Sequence, residues 1–212
     1  MRPVWTVKFS PLGFFFASGS ADRTANLWAT SDILPIRVFK GHLTDVEVVE
    51  FNPNLHYVAT AGNDQTIRLW SVLNGAWVRI LITGGTASPI RSLRFTNTGK
   101  HLISTNDTGG FWIHDVDKAR IVKCFDPKDG SGALWATDIS QDDRIIAFGS
   151  EDSYIIYYSM KKLIPIEDDN LDLGDSIQSI KKIDFANSLM LSMKFTLRNM
   201  LWTCGRLNDH IV

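Results

Sequence analysis

"VEVVEFNPNLHYVATAGNDQTIRLW", residues 46–70, lies without a gap on "VWTVKFSPLGFFFASGSADRTANLW", residues 4–28. A self-match at a fixed offset decides architecture before local propensity does, because periods of roughly 20 to 50 residues belong to chains that stack one supersecondary unit many times. Two further copies follow with decay: "IRSLRFTNTGKHLISTNDTGGFWIHD" at 90–115 and "LWATDISQDDRIIAFGSEDSYIIYYS" at 134–159. An apolar anchor recurs at Phe9, Phe51, Phe95 and Ile139, and a strand-end position at Trp28, Trp70, His114 and Tyr158, both spaced 42, 44 and 44.

Inside each copy, short alternating runs such as "VKF", "YVATA" and "TIRLW" are separated by the turn clusters "SPLG", "NPNL" and "TNTG". That pattern predicts β-strands joined by tight turns, with no helical period. Asn74-Gly75, between two apolar runs, predicts a further hairpin closed by a type I′ turn. Four antiparallel strands per unit make a blade, and blades stack radially to bury faces that one alone leaves open. The expected fold is all-β, a β-propeller. Its units fall at about 4–39, 41–82, 84–125 and 130–166, followed by an acidic insertion at 166–176 and a half-blade at 190–205, all within one domain, 1–212.

Composition narrows the function classes. Twenty-two basic against 23 acidic residues leave a net charge of -1, which gives no global attraction to a phosphate backbone or an acidic membrane. Two cysteines, Cys124 and Cys204, are too few for a disulfide framework and lack metal-ligand spacing. The five histidines are scattered singly, so no metal is expected. "IEDDNLDLGD" at 166–175 places Leu173 and Ser179 where a calcium loop requires Gly and Glu. "TGG" at 83–85 and at 108–110 lacks the Lys and Ser or Thr of a phosphate loop. No cofactor is expected.

The second copy opens with Gly41-His42 and closes with Leu69-Trp70. With its period, this resembles the WD40 family, in which a structural hydrogen-bond network joins His, Thr, Asp and Trp. The resemblance places that network at His42, Thr60, Asp64 and Trp70. The turn Asp recurs as Asp22 and Asp152, six residues before the strand-end position. Recurrence marks scaffolding, since a catalytic Asp-His-Thr set is used once, and an enzyme is not expected. The third copy departs, with Asp107-Thr108 at the turn and His114 in place of Trp, which puts its network in doubt and predicts the least rigid blade.

Residues 3–75 resemble more narrowly the WD40 domain of the TFIID subunit 5 family, on "LWATSDILPIRVFKGHL" (27–43), "VLNGAWVRI" (72–80) and "KFTLRNMLWTCG" (194–205). The resemblance implies a nuclear, non-enzymatic scaffold in RNA polymerase II transcription initiation. Its implied partners are histone-fold TBP-associated factors within TFIID and, in some organisms, the SAGA coactivator. It also implies seven blades, of which about four and a half are present, so the chain is expected to be a fragment or an incomplete gene product. The alternative is a WD40 adaptor of another complex, a ubiquitin ligase or a splicing assembly, because one fold hosts many functions. Four residues before each anchor stand Trp5, Glu47, Arg91 and Trp135. These types suit a protein-binding face on the innermost strands, and the competing expectation is that Trp5 and Trp135 pack between blades.

Overall fold

A computed structural model describes residues 2–83, 88–125, 132–152, 154–163, 183–184, 188–195, 201–207 and 210–211, with side chains described up to Leu163 except at 154 and 162. The acidic insertion, 166–176, lies outside the described residues, as do parts of the 83–85 turn and of the half-blade.

Blade one comprises β1 (Val4–Phe9), β2 (Phe15–Ser20), β3 (Thr24–Ala29) and β4 (Arg37–Lys40). Blade two comprises β5 (Val46–Phe51), β6 (Tyr57–Gly62), β7 (Thr66–Ser71) and β8 (Trp77–Ile82). Blade three comprises β9 (Ile90–Phe95), β10 (His101–Asn106), β11 (Phe111–Asp115) and β12 (Arg120–Phe125). Blade four comprises β13 (Leu134–Ile139), β14 (Ile145–Ser150), β15 (Tyr154–Ser159) and β16 (Ile183–Asp184), and a last sheet holds β17 (Ser188–Phe195), β18 (Leu201–Leu207) and β19 (His210–Ile211). Every sheet is an antiparallel meander whose spatial order is the sequence order. The first strands neighbour one another in series, β1 on β5, β5 on β9, β9 on β13 and β13 on β17, which is the radial stacking of a propeller.

The core lies between sheets. Val46, Val49 and Phe51 of β5 share a cluster with Ala17, Leu27 and Phe39 of blade one. Ile90, Leu93 and Phe95 of β9 do the same with Ala59, Leu69 and Leu81 of blade two. Leu134 and Ile139 of β13 join Ile103, Phe111 and Ile113 of blade three. β5, β9 and β13 therefore each seal against the blade before them, and burial at about 25 cal/mol per Å² of apolar surface makes these seams the main adhesive.

Turn chemistry repeats with the same period. The first turn of each blade holds one left-handed residue, at Gly13, Leu55, Gly99 and Asp143, with φ of 76°, 58°, 73° and 54°. The second turn, in blades one and two, ends in a left-handed Arg23 or Gln65, the geometry of a type I turn closed by an αL residue.

Two sequence expectations change. Residues 72–76 form a five-residue connection in which Gly75 alone has positive φ, at 72°, and its N–H donates to the Ser71 carbonyl. Asn74 instead accepts the Ala76 N–H on its side chain, an Asx turn that replaces the type I′ hairpin. In blade four the outer strand is drawn from Ile183–Asp184 and not from residues before 166, because the chain leaving β15 coils into α1 (Met160–Leu163). Met160 and Leu163 are buried in the seam between blades three and four, so the helical turn uses residues that a hairpin would have carried outward.

Candidate functional site

His42, Thr60, Asp64 and Trp70 meet in the interior of blade two. Trp70 on β7 donates its indole N–H to Thr60 Oγ1 at 2.8 Å, from one strand to the next. Thr60 Oγ1 lies 2.7 Å from His42 Nε2, and His42 Nδ1 lies 2.7 Å from Asp64 Oδ2. One proton arrangement satisfies all four groups: Trp N–H to hydroxyl, hydroxyl to Nε2, and Nδ1–H to carboxylate. Asp64 also accepts the Leu43 N–H at 3.0 Å and, on its other oxygen, the Thr66 N–H and Oγ1–H at 3.1 and 2.8 Å. Burial pulls the Asp64 carboxyl upward, but hydrogen bonds from His42, Leu43 and Thr66 outweigh it and hold the group well below the ordinary carboxylate range. The Thr60 hydroxyl links Trp70 to His42 with the residue fully buried, so no substrate reaches it and the arrangement is that of a strut.

The other blades vary this strut. In blade one Trp28 donates to Ser18 Oγ at 3.0 Å, and Asp22 accepts the Thr24 N–H and Oγ1–H at 2.9 and 2.6 Å. In blade three His114 Nε2 lies 3.0 Å from Ser104 Oγ, and Asn106 takes over the turn, accepting the Gly110 N–H at 2.7 Å and donating to Thr108 Oγ1 at 2.8 Å and to Ser88. The third blade, its network in doubt from its sequence, thus keeps a His114–Ser104 pair between strands and gives its turn a hub of its own at Asn106. Burial pushes the His114 pKa down to about 4, so the ring is neutral at physiological pH. Blade four replaces Thr by Phe148 and Trp by Tyr158, and an aromatic cluster forms instead, with Phe111 4.7 Å from Phe148 and 5.3 Å from Tyr158. Asp152 there accepts the Gly132 N–H at 3.1 Å.

Trp5, Glu47, Arg91 and Trp135 sit at one level of the innermost strands β1, β5, β9 and β13. Arg91 pairs with the Glu47 carboxylate and places its guanidinium 5.0 Å from the Trp135 ring centroid. Glu47 further accepts from Asn63 at 2.6 Å. Arg91 thus joins Glu47 and Trp135, whereas Trp5 stays exposed and reaches blade two by donating its N–H to Asp45 at 2.9 Å.

A second level escapes notice in a search for motifs. One residue before each anchor stand Lys8, Glu50, Arg94 and Asp138, alternating in sign. Lys8 Nζ lies 3.0 Å from Glu50, Arg94 lies 3.1 Å from Glu50, and Arg94 Nε lies 2.8 Å from Asp138. Burial works against the Arg94 charge, and Glu50 and Asp138 more than offset it, holding the guanidinium above its ordinary value. The signal was available as a sign change at a 42- to 44-residue spacing. On the outer rim, Arg37 donates to the Leu73 carbonyl at 2.8 Å, and Arg79 to the carbonyls of Val116 and Asp117, so the outer strands of blades one and two each latch onto the next blade.

Radial four-stranded sheets, a strut repeated with variations and charge-coupled innermost strands define a repeat propeller. Residues 2–29 and 34–71 match the model of the WD domain, G-beta repeat, so the chain carries WD40 repeats. It is similar to Transcription initiation factor TFIID subunit 5 of Caenorhabditis elegans, 31% identical over 161 residues covering 76% of this chain and 24% of that protein, which is consistent with a WD40 domain of that family. It is also similar to Eukaryotic translation initiation factor 3 subunit I of Candida albicans, 27% identical over 76% of this chain and 49% of that protein. Pre-mRNA-processing factor 19 of Bos taurus is 27% identical over 68% of this chain and 28% of that protein. The chain thus spans between about a quarter and a half of the length of these relatives.

Proposed function

We propose that this chain is a non-catalytic scaffold of the TFIID transcription initiation factor, acting in the nucleus by binding histone-fold TBP-associated factors. The observation that carries the reading is the 31% identity to a TFIID subunit 5 across 76% of the chain. The geometry supports it in kind: seams, latches and two charged levels hold the blades in fixed relation, and a fixed relation is what a presenting surface requires. The proposed binding face includes the level of Glu47, Arg91 and Trp135, held by mutual contacts at low entropic cost to a partner. Native purification of the tagged endogenous protein with mass spectrometry tests this. Co-purifying histone-fold factors and TBP are expected, with Trp135→Ala weakening the histone-fold contact while the protein still folds and melts cooperatively.

The second reading, a WD40 adaptor of a different assembly, is favoured by the 27% identities to a translation initiation factor subunit and a pre-mRNA-processing factor. Recovery of translation-initiation or pre-mRNA-processing proteins in place of TBP would establish it and remove the first.

A further inference from the structure

Asn74-Gly75 is the only Asn–Gly pair in the sequence, and Asn74 is exposed in the 72–76 connection of blade two. The Ala76 N–H donates to Asn74 Oδ1 at 2.9 Å, which folds the carboxamide over the peptide that follows it, beside the Gly75 nitrogen. The same N–H polarises the carboxamide and stands where negative charge develops on Oδ1 when its carbon is attacked. Gly75 has no side chain to obstruct that approach. Its own N–H is donated to the Ser71 carbonyl at 2.9 Å, so attack waits until this bond opens, and the turn sets the pace.

The same turn carries the rim latch. Arg37 of blade one donates to the Leu73 carbonyl at 2.8 Å, and its side chain lies so close to Gly75 that a Cβ there would fall 2.9 Å from Arg37 Cδ. We propose that Asn74 is a site of spontaneous deamidation whose isoaspartate product opens this latch between blades one and two. Solvent base takes the Gly75 N–H proton, the nitrogen bonds to Asn74 Cγ, and the carboxamide nitrogen, reprotonated by water, departs as ammonia to leave a succinimide. Water then adds to the Asn74 main-chain carbonyl carbon and breaks its bond to the Gly75 nitrogen, which takes the proton. The chain now runs through Cγ, one carbon longer, beside a free carboxylate. A turn already in contact with Arg37 cannot admit that carbon and keep the Leu73 carbonyl at the guanidinium. Opening of the ring at Cγ instead gives aspartate, which preserves the backbone and the latch. The site is independent of which assembly the protein joins.

The test ages the protein, purified from its own cells, at neutral pH and physiological temperature in heavy-oxygen water. Peptide mapping reads the label at residue 74 against Asn54 and Asn97, exposed asparagines followed by Leu55 and Thr98. Label is expected to enter residue 74 several-fold faster than either reference, mostly as isoaspartate measured by isoaspartyl methyltransferase, and to be lost with Asn74→Gln. Hydrogen exchange of the β4 amides is expected to quicken several-fold in the isoaspartate fraction. It stays at the unaged rate in Asn74→Asp, which adds the charge without lengthening the chain. Label entering residue 74 no faster than the references overturns the proposal, as do aspartate as the main product or unchanged β4 exchange in the isoaspartate fraction.

Discussion

Thr60 is the residue on which blade two's polar interior turns, because one hydroxyl oxygen serves both Trp70 and His42. Thr60→Val keeps the shape and removes the oxygen, leaving an indole N–H and an imidazole nitrogen buried without partners. The expected cost is about 2 to 4 kcal/mol, read by urea titration. Ser18→Ala in blade one removes a single bond in a partly buried site and should cost about 1 kcal/mol; equal effects at the two sites would refute the shared-strut account. His114 makes a different prediction, through pH. Its folded pKa, about 4, lies below its ordinary 6.5, so between those values the unfolded chain binds the extra proton and stability falls as pH falls. The loss begins as pH drops through 6.5, is complete below about 4, and amounts to about 3 kcal/mol. His114→Phe should flatten the profile across that window, and subtracting the two profiles separates His114 from His101. Asp64, held low, adds a loss only below the ordinary carboxylate range.

Strands are held to their neighbours by charge as well as by apolar seams. Arg94 on β9 sits between Glu50 on β5 and Asp138 on β13, both carboxylates mostly withdrawn from water. Arg94→Met keeps the aliphatic stem but takes the shared cation from both, with an expected cost of about 3 kcal/mol or more. Lys8→Met, at the exposed end of the series, should cost less than about 1 kcal/mol, and denaturant melts of the pair decide whether burial sets the difference. This layer shows where sequence reading runs out. The blades, their order and the strut of blade two were legible because the anchors and the aromatic positions recur with a fixed period that local chemistry must obey. The charged levels were visible as residues but not as pairs, since pairing is a contact between blades 42 to 44 residues apart and each position is read alone as a solvated charge. Asn106 and α1 were opaque for the opposite reason: each solves a local problem in a way its neighbours in the repeat do not share.

In the whole molecule, stability follows from repetition with nearest-neighbour coupling. β5, β9 and β13 are each sealed by the blade before them, so free energy accumulates seam by seam and a blade exposed on that side loses one seam's share. Blade one is in this position, with Val4, Val7 and Phe9 open to solvent and the polar strut reduced to the Trp28–Ser18 bond and the Asp22 turn. Blade two has a seam on each side, the full His42–Thr60–Asp64–Trp70 series and the Arg37 latch across its outer edge. Local opening free energies track buried apolar contact, so amides of β1 and β2 should exchange at least tenfold faster than those of β5 and β6. Hydrogen–deuterium exchange on the isolated chain reads this directly. Uniform protection across the two blades would mean that the sheets open as one cooperative unit, and the seam-by-seam account would then fail.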